Sequence, residues 1–446
     1  MKLLLLILFM MSSFYAKGQQ TFHFINPKKN TIKFELSGNL VIIPVKLNGV
    51  SLSFLLDTGV KETMLFISDT DSIPLENVHR VKFTGIGIED GIEGIMALNN
   101  EFIVGGTIAD FGHDIYVIDS KELDVSSHVG LPVHGILGSR LFENYIVQMD
   151  YLRNKIHLYE FGTDLKKKTK GFEAVPMTIE RNRPYVQTKI KLSSNRIEDA
   201  KMLLDMGNSD GMLIFPFLME NFTIKEPSIY DYIGKGFNGE IFGRRNRIEE
   251  FDLAGFKIKE PIVSYPDSNA IRSAMLAENR KGSVGNQVLQ HFHIFFDYEH
   301  SVCYLKPNKK FGKTFPINMA GIEVKHDGMK WSKSRVPTNL NIKEKEDNTP
   351  GIRVSLGESF RYEFKLLPIY VIANIREDSP AEKAGLLKGD ELVRIDGRKA
   401  ESMKLQEIVG KFQEKNGKEL RIVIKRNGEL KSFEFLLKDP IPFRKT

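Results

Sequence analysis

Apolar and polar residues alternate with a period of two along most of residues 28–310, the pattern of half-buried β-strands. Val41-Ile42-Ile43-Pro44-Val45-Lys46-Leu47 reads as a strand that ends at Asn48-Gly49, a two-residue hairpin signal. The following strand runs through Ser53-Phe54-Leu55-Leu56 into Asp57-Thr58-Gly59. Further on, Tyr185-Val186-Gln187-Thr188-Lys189-Ile190-Lys191-Leu192 precedes Ser193-Ser194-Asn195 and a second such strand, Lys201-Met202-Leu203-Leu204, which ends in Asp205-Met206-Gly207. Helical signals come only late. Ser379-Pro380-Ala381-Glu382-Lys383-Ala384-Gly385 has an N-cap Ser, a Pro at the first helical position and a Gly stop. Residues 402–412 carry an apolar face of Met403, Leu405, Ile408, Val409 and Phe412, and two strands follow around Asn427-Gly428.

The strand-rich part is a duplication. Asp57 lies 81 positions before Gly138 of Ile136-Leu137-Gly138, and Asp205 lies 80 before Gly285 of Ser283-Val284-Gly285. Twelve positions after each Gly stands an Asp-Tyr pair, Asp150-Tyr151 and Asp297-Tyr298. Three landmarks in one order at matching spacing predict two copies of one β-rich lobe, 28–165 and 170–310. Each copy also has a Gly-punctuated stretch of hairpin character, Gly85-Ile86-Gly87-Ile88-Glu89-Asp90-Gly91 and Gly234-Lys235-Gly236-Phe237-Asn238-Gly239. Neither has the strand–loop–helix context of a phosphate loop.

The chemistry to be expected follows from where the carboxylates fall. An apolar strand drives each Asp into a tight turn, an expensive place for a charge. Two such groups facing each other would share one proton, the arrangement that activates water against a peptide bond. Gly59 and Gly207 allow the backbone to turn closely behind each carboxylate. Thr58 has no hydroxyl counterpart at Met206, so Ser209 or backbone groups are the candidates for holding the second turn.

Composition narrows the surroundings. With 63 Lys and Arg against 57 Asp and Glu the net charge is +6 over 446 residues, little reason to expect nucleic acid as a partner. Met1-Lys2, an apolar core over 3–11 and small residues Ala16 and Gly18 have the three parts of a secretory signal, 1–18, too short in its core to serve as a membrane anchor. The single cysteine, Cys303, excludes an intramolecular disulfide and reads as a strand residue. Nothing calls for a metal or cofactor; His291-Phe292-His293 reads as strand alternation. The expectation is a protein exported to the periplasm or cell surface of a Gram-negative bacterium, acting as a monomer.

Asp57-Thr58-Gly59, Ile136-Leu137-Gly138 and their second-copy counterparts resemble pepsin- and retropepsin-type aspartic proteases in a single-chain, two-lobed form found in bacteria. The resemblance implies β-barrel lobes, catalytic roles for Asp57 and Asp205, a polypeptide substrate, and a first-lobe flap that includes Gly85, Gly87 and Gly91. It also implies that Thr58 hydrogen-bonds across the lobe interface. The last part of the chain, through Tyr370-Val371-Ile372-Ala373-Asn374-Ile375, Ser379-Pro380-Ala381 and Lys388-Gly389-Asp390-Glu391-Leu392-Val393-Arg394-Ile395-Asp396-Gly397, resembles a PDZ domain. That implies an α+β domain over 317–438 with an insertion near 328–366. A peptide carboxyl terminus would be received at Ala320-Gly321-Ile322. Two readings stay open: an endopeptidase, and a non-catalytic peptide-binding protein weakened at Met206.

Overall fold

Asn48 and Gly49 both adopt positive φ (46° and 84°), as a two-residue hairpin turn demands, and they join Leu40–Leu47 to Val50–Leu56. That hairpin delivers Leu56, fully buried, to the start of the Asp57 turn. The computed structural model describes residues 22–67, 73–85, 88–119, 125–193, 196–236, 239–270, 276–337 and 360–442. Their architecture is mostly β, in two compact units: residues up to Ile317 together with those from Asp439 onward, and Asn318–Lys438.

The duplication is visible in strand topology. In the first copy Gly135–Leu137 runs parallel to Val50–Leu56, with Leu137 opposite Leu56, and antiparallel to Met64–Ile67. In the second, Arg280–Val284 runs parallel to Arg196–Leu204, with Val284 opposite Leu204, and antiparallel to Met212–Ile214. Close approach explains the late glycines. A Cβ on Gly138 would lie 2.6 Å from the Lys61 carbonyl oxygen, and one on Gly285 2.3 Å from that of Asp210. No side chain fits there.

The copies are joined by a six-stranded sheet. Its centre pairs Ile146–Asp150 of the first copy with Phe292–Asp297 of the second, the two strands that lead into the repeated Asp-Tyr landmarks. Val147, Met149, Ile294 and Phe296 are buried within it, and Cys303 lies fully buried on the neighbouring strand Val302–Pro307. The lobes are not free of helix, as the late helical signals suggested. Single turns form at Ser126–Val129 and, directly after Gly285, at Asn286–Leu289.

Asn318–Lys438 carries a six-stranded sheet with Ile322–Pro337 at its edge. Ser379 caps Pro380–Lys383 by accepting the Glu382 N–H at 3.2 Å, and Leu405–Phe412 buries Leu405, Ile408 and Phe412. Asn427 and Gly428, at φ 53° and 86°, close the hairpin between Glu419–Arg426 and Glu429–Leu436. The described ends of the stretch read as an insertion prolong two paired strands, and 338–359 lie outside the described residues. Ile322–Pro337 and Phe360–Ile375 continue as a ribbon from Met329↔Pro368 out to Pro337↔Phe360.

Candidate active site

Each carboxylate stands one residue beyond a strand whose parallel neighbour carries the late Gly. The Asp57 N–H donates to the Leu137 carbonyl at 3.0 Å, and the Asp205 N–H to that of Val284 at 2.9 Å. These equivalent bonds bring the two turns face to face. A Cβ on Gly59 would lie 3.0 Å from Oδ1 of Asp57 and 3.0 Å from Oδ1 of Asp205, so both carboxylates reach one point above that turn. Asp57 Oδ1 accepts N–H groups from both copies, Gly59 at 2.6 Å and Gly207 at 3.1 Å. Asp57 is 8% exposed and Asp205 half-buried.

The support is asymmetric. Thr58, fully buried, donates its hydroxyl to the Leu204 carbonyl at 2.6 Å and accepts the Met206 N–H at 3.0 Å. Met206, also fully buried, has no hydroxyl to return the bond. Its carbonyl is held instead by Asn286 Nδ2 at 2.6 Å, and Asn286 Oδ1 accepts the Tyr151 hydroxyl at 2.8 Å. Tyr151 belongs to the first copy, so the second turn is gripped from the first by two routes. Ser209 contributes its carbonyl, to Asn39 Nδ2 at 3.0 Å. Asn286 and Tyr151 take the part expected of Ser209; both adjoin the repeat landmarks, as the residues after Gly285 and Asp150.

Two arginines flank the pair. Arg183 donates Nε to the Gly59 carbonyl at 2.6 Å, and its charge favours the ionised form of both carboxylates. Burial and the negative charge of Asp205 push the Asp57 carboxyl up to about 7. Burial also raises Asp205, but Arg280 and a hydrogen bond from Ser283 favour its charged form. Arg280 and Ser283 therefore bias a proton shared by the pair toward Asp57. Removing the cation in Arg280→Met raises the Asp205 pKa, so the acid limb of any activity that needs ionised Asp205 should move to higher pH by about one pH unit. A kcat/KM profile over pH 3–8 checks this, and an unmoved acid limb would contradict the assignment.

Other expected positions fall as follows. Gly85 and Gly91 lie on the hairpin Val78–Gly85/Ile88–Val104, while Gly87 lies outside the described residues. The second copy has the matching hairpin Ile229–Gly236/Gly239–Arg247, whose Tyr232 ring stacks on His128 of the first copy at 5.5 Å. Asp210, just past the second turn, ties this hairpin down through Arg245 at 2.9 Å. Thr63, His113 and Asp110 form a hydrogen-bonded line at 2.8 Å each, but all three are buried, with no path for a substrate.

Ala320-Gly321-Ile322 does not form an open carboxylate-binding loop. The Gly321 N–H donates to Asn318 Oδ1 at 2.9 Å, and the carbonyls of Ala320 and Gly321 accept from Ala381 and Arg376 at 3.2 and 2.8 Å. Ala320 and Ile322 are buried. The donor a carboxylate would need at Gly321 is already engaged within the fold.

Comparison with known proteins agrees with the C-terminal unit: the PDZ domain family matches residues 371–426. No curated protein matches the chain. Among solved structures, an aspartic proteinase from Irpex lacteus aligns with 64% of this chain and 99% of its own, at 13% identity and a TM-score of 0.42.

Proposed function

We propose that this chain is an exported aspartic-type endopeptidase that hydrolyses peptide bonds between Asp57 and Asp205, with its PDZ domain binding a peptide or protein. One observation carries the reading: Asp57 accepts backbone N–H groups from both turns at the point where both carboxylates converge. Two carboxylates converging on one point, one buried and one half-buried, are costly unless they share a proton. A structural turn cap needs neither the second carboxylate nor the flanking cations.

The roles follow from the charges. Asp205, ionised beside Arg280, takes a proton from a water held between the pair. Asp57, carrying its proton, donates a hydrogen bond to the scissile carbonyl and stabilises the oxyanion as water adds. The amine leaves with a proton returned by the pair. The active form holds one proton, so activity should fall as pH rises through about 7, where Asp57 ionises. Cleavage of an unfolded polypeptide over pH 3–8, with Asp205→Asn as control, tests the proposal; cleavage that survives the substitution sinks it. The PDZ sheet offers its edge strand Ile322–Pro337 for an added peptide strand. Periplasmic or surface location and a monomeric state complete the proposal.

Met206→Thr tests the asymmetry. The Asn286–Tyr151 route already holds the Met206 carbonyl, so kcat/KM should change less than about threefold. Stability should fall by about 1–3 kcal/mol, because a fully buried thioether is exchanged for a smaller side chain. A tenfold gain in activity would show that the missing hydroxyl is limiting.

A further inference from the structure

The ribbon that prolongs Ile322–Pro337 and Phe360–Ile375 is two strands wide in its outer part, since the third strand of the sheet pairs with Phe360–Ile375 at Val371, inward of that outer part. Cross-strand partners share a face. One face therefore carries Trp331 with Leu366, Lys333 with Phe364 and Arg335 with Tyr362. Its aromatic groups stand in solvent, Trp331 at 72%, Phe364 at 61% and Tyr362 at 51% exposure. Lys333 Nζ sits 3.6 Å from the Tyr362 ring centroid, so charge and aromatic surface are interleaved. The reverse face, Lys330, Ser332 and Ser334 opposite Leu367, Lys365 and Glu363, is largely polar and is held to its own domain by Lys330 on Glu391 and Glu401 at 3.0 and 3.3 Å. A two-stranded ribbon is marginal in water unless something covers its apolar side.

We propose that this face docks on an anionic lipid surface, with Trp331, Tyr362 and Phe364 seated at headgroup depth and Lys333 and Arg335 against lipid phosphates. The described outer ribbon, 329–337 and 360–368, holds five cations and one acid, whereas the whole chain is close to balance. Trp and Tyr flanked by Lys and Arg is the composition that partitions into a bilayer interface, where one end of each side chain stays wet. A second copy stacked through this face would set Lys333 and Arg335 against like charges. An acidic peptide would match the cations but leave the aromatic rings in water. The attachment is peripheral; no helix among the described residues is long and apolar enough to cross a membrane.

The chain contains one tryptophan, so Trp331 reports on its own docking. The full chain is titrated with vesicles of phosphatidylglycerol and phosphatidylcholine, and with vesicles of phosphatidylcholine alone, while emission and co-sedimentation are followed. Expected are a blue shift and sedimentation with the anionic vesicles, weakening in high salt, and a loss of affinity of roughly tenfold in Lys333→Glu. Phe364→Ser, which keeps the reporter and every charge, should weaken binding as well. No shift with anionic vesicles overturns the proposal, and so does equal binding to both vesicle types. A shift that grows with protein concentration without lipid would identify a second copy as the occupant. One reproduced by soluble polyglutamate would identify an acidic peptide.

Discussion

Asp57→Asn should abolish cleavage, by about a thousandfold or more, and at the same time make the protein more stable at neutral pH. The two effects have one origin. In the folded chain burial and Asp205 push the Asp57 carboxyl up to about 7, against an ordinary value of 3.8. A raised carboxyl pKa means that the folded state binds the proton more tightly than the unfolded one. Stability is then fully present below about 4 and is lost as pH rises toward 7. Asn carries no charge to desolvate, and its carbonyl oxygen can still accept the Gly59 and Gly207 N–H groups. The variant should gain up to about 4 kcal/mol at pH 7.5 and little at pH 3.5. Urea unfolding at the two pH values, beside a cleavage assay, reads both effects. Equal stability changes at both pH values would mean that Asp57 is not the group holding the proton.

Gly207→Ala should be nearly as damaging, for a steric reason. Its Cβ would lie 2.2 Å from Oδ2 of Asp57 and 2.3 Å from Cγ, distances no real contact reaches. The clash is with the carboxylate itself, so Asp57 must swing away and lose the Gly207 N–H. We expect cleavage to fall by at least about a hundredfold, with a destabilisation of about 1–3 kcal/mol. Gly59→Ala provides the comparison. Its Cβ would stand 3.0 Å from both carboxylate oxygens, a crowding that a few tenths of an ångström relieves. If the two variants lost activity equally, the turns would not differ in the way their geometry says.

Much of this site was legible in the chain because duplication turns spacing into position. The distances from Asp57 to Gly138 and from Asp205 to Gly285 located both turns and both late-Gly strands, which the structure pairs in the same register. What spacing could not reveal was anything meeting the turns from elsewhere. Arg183 and Arg280 lie in local sequence that looks like solvated strand ends; only tertiary folding brings their charge to the carboxylates. Asn286 follows a landmark Gly and Tyr151 belongs to a landmark pair, yet neither position announces whose carbonyl they will hold together. The PDZ loop shows the opposite failure. Ala320-Gly321-Ile322 has the right residue types, but Asn318, three residues before the Gly, occupies its N–H. Likewise no local pattern announced the pairing of 329–337 with 360–368, which lie a long return apart in the chain.

The two halves that share the sheet of Ile146–Asp150 and Phe292–Asp297 belong to one continuous chain rather than to two identical subunits. In an assembly of identical copies every substitution appears twice, so a Met beside the catalytic Asp would remove both hydroxyls of the clamp together. Fusion released the halves from that symmetry. Thr58 and Met206 can therefore differ, and the missing hydroxyl is confined to one side, where Asn286 and Tyr151 hold the turn.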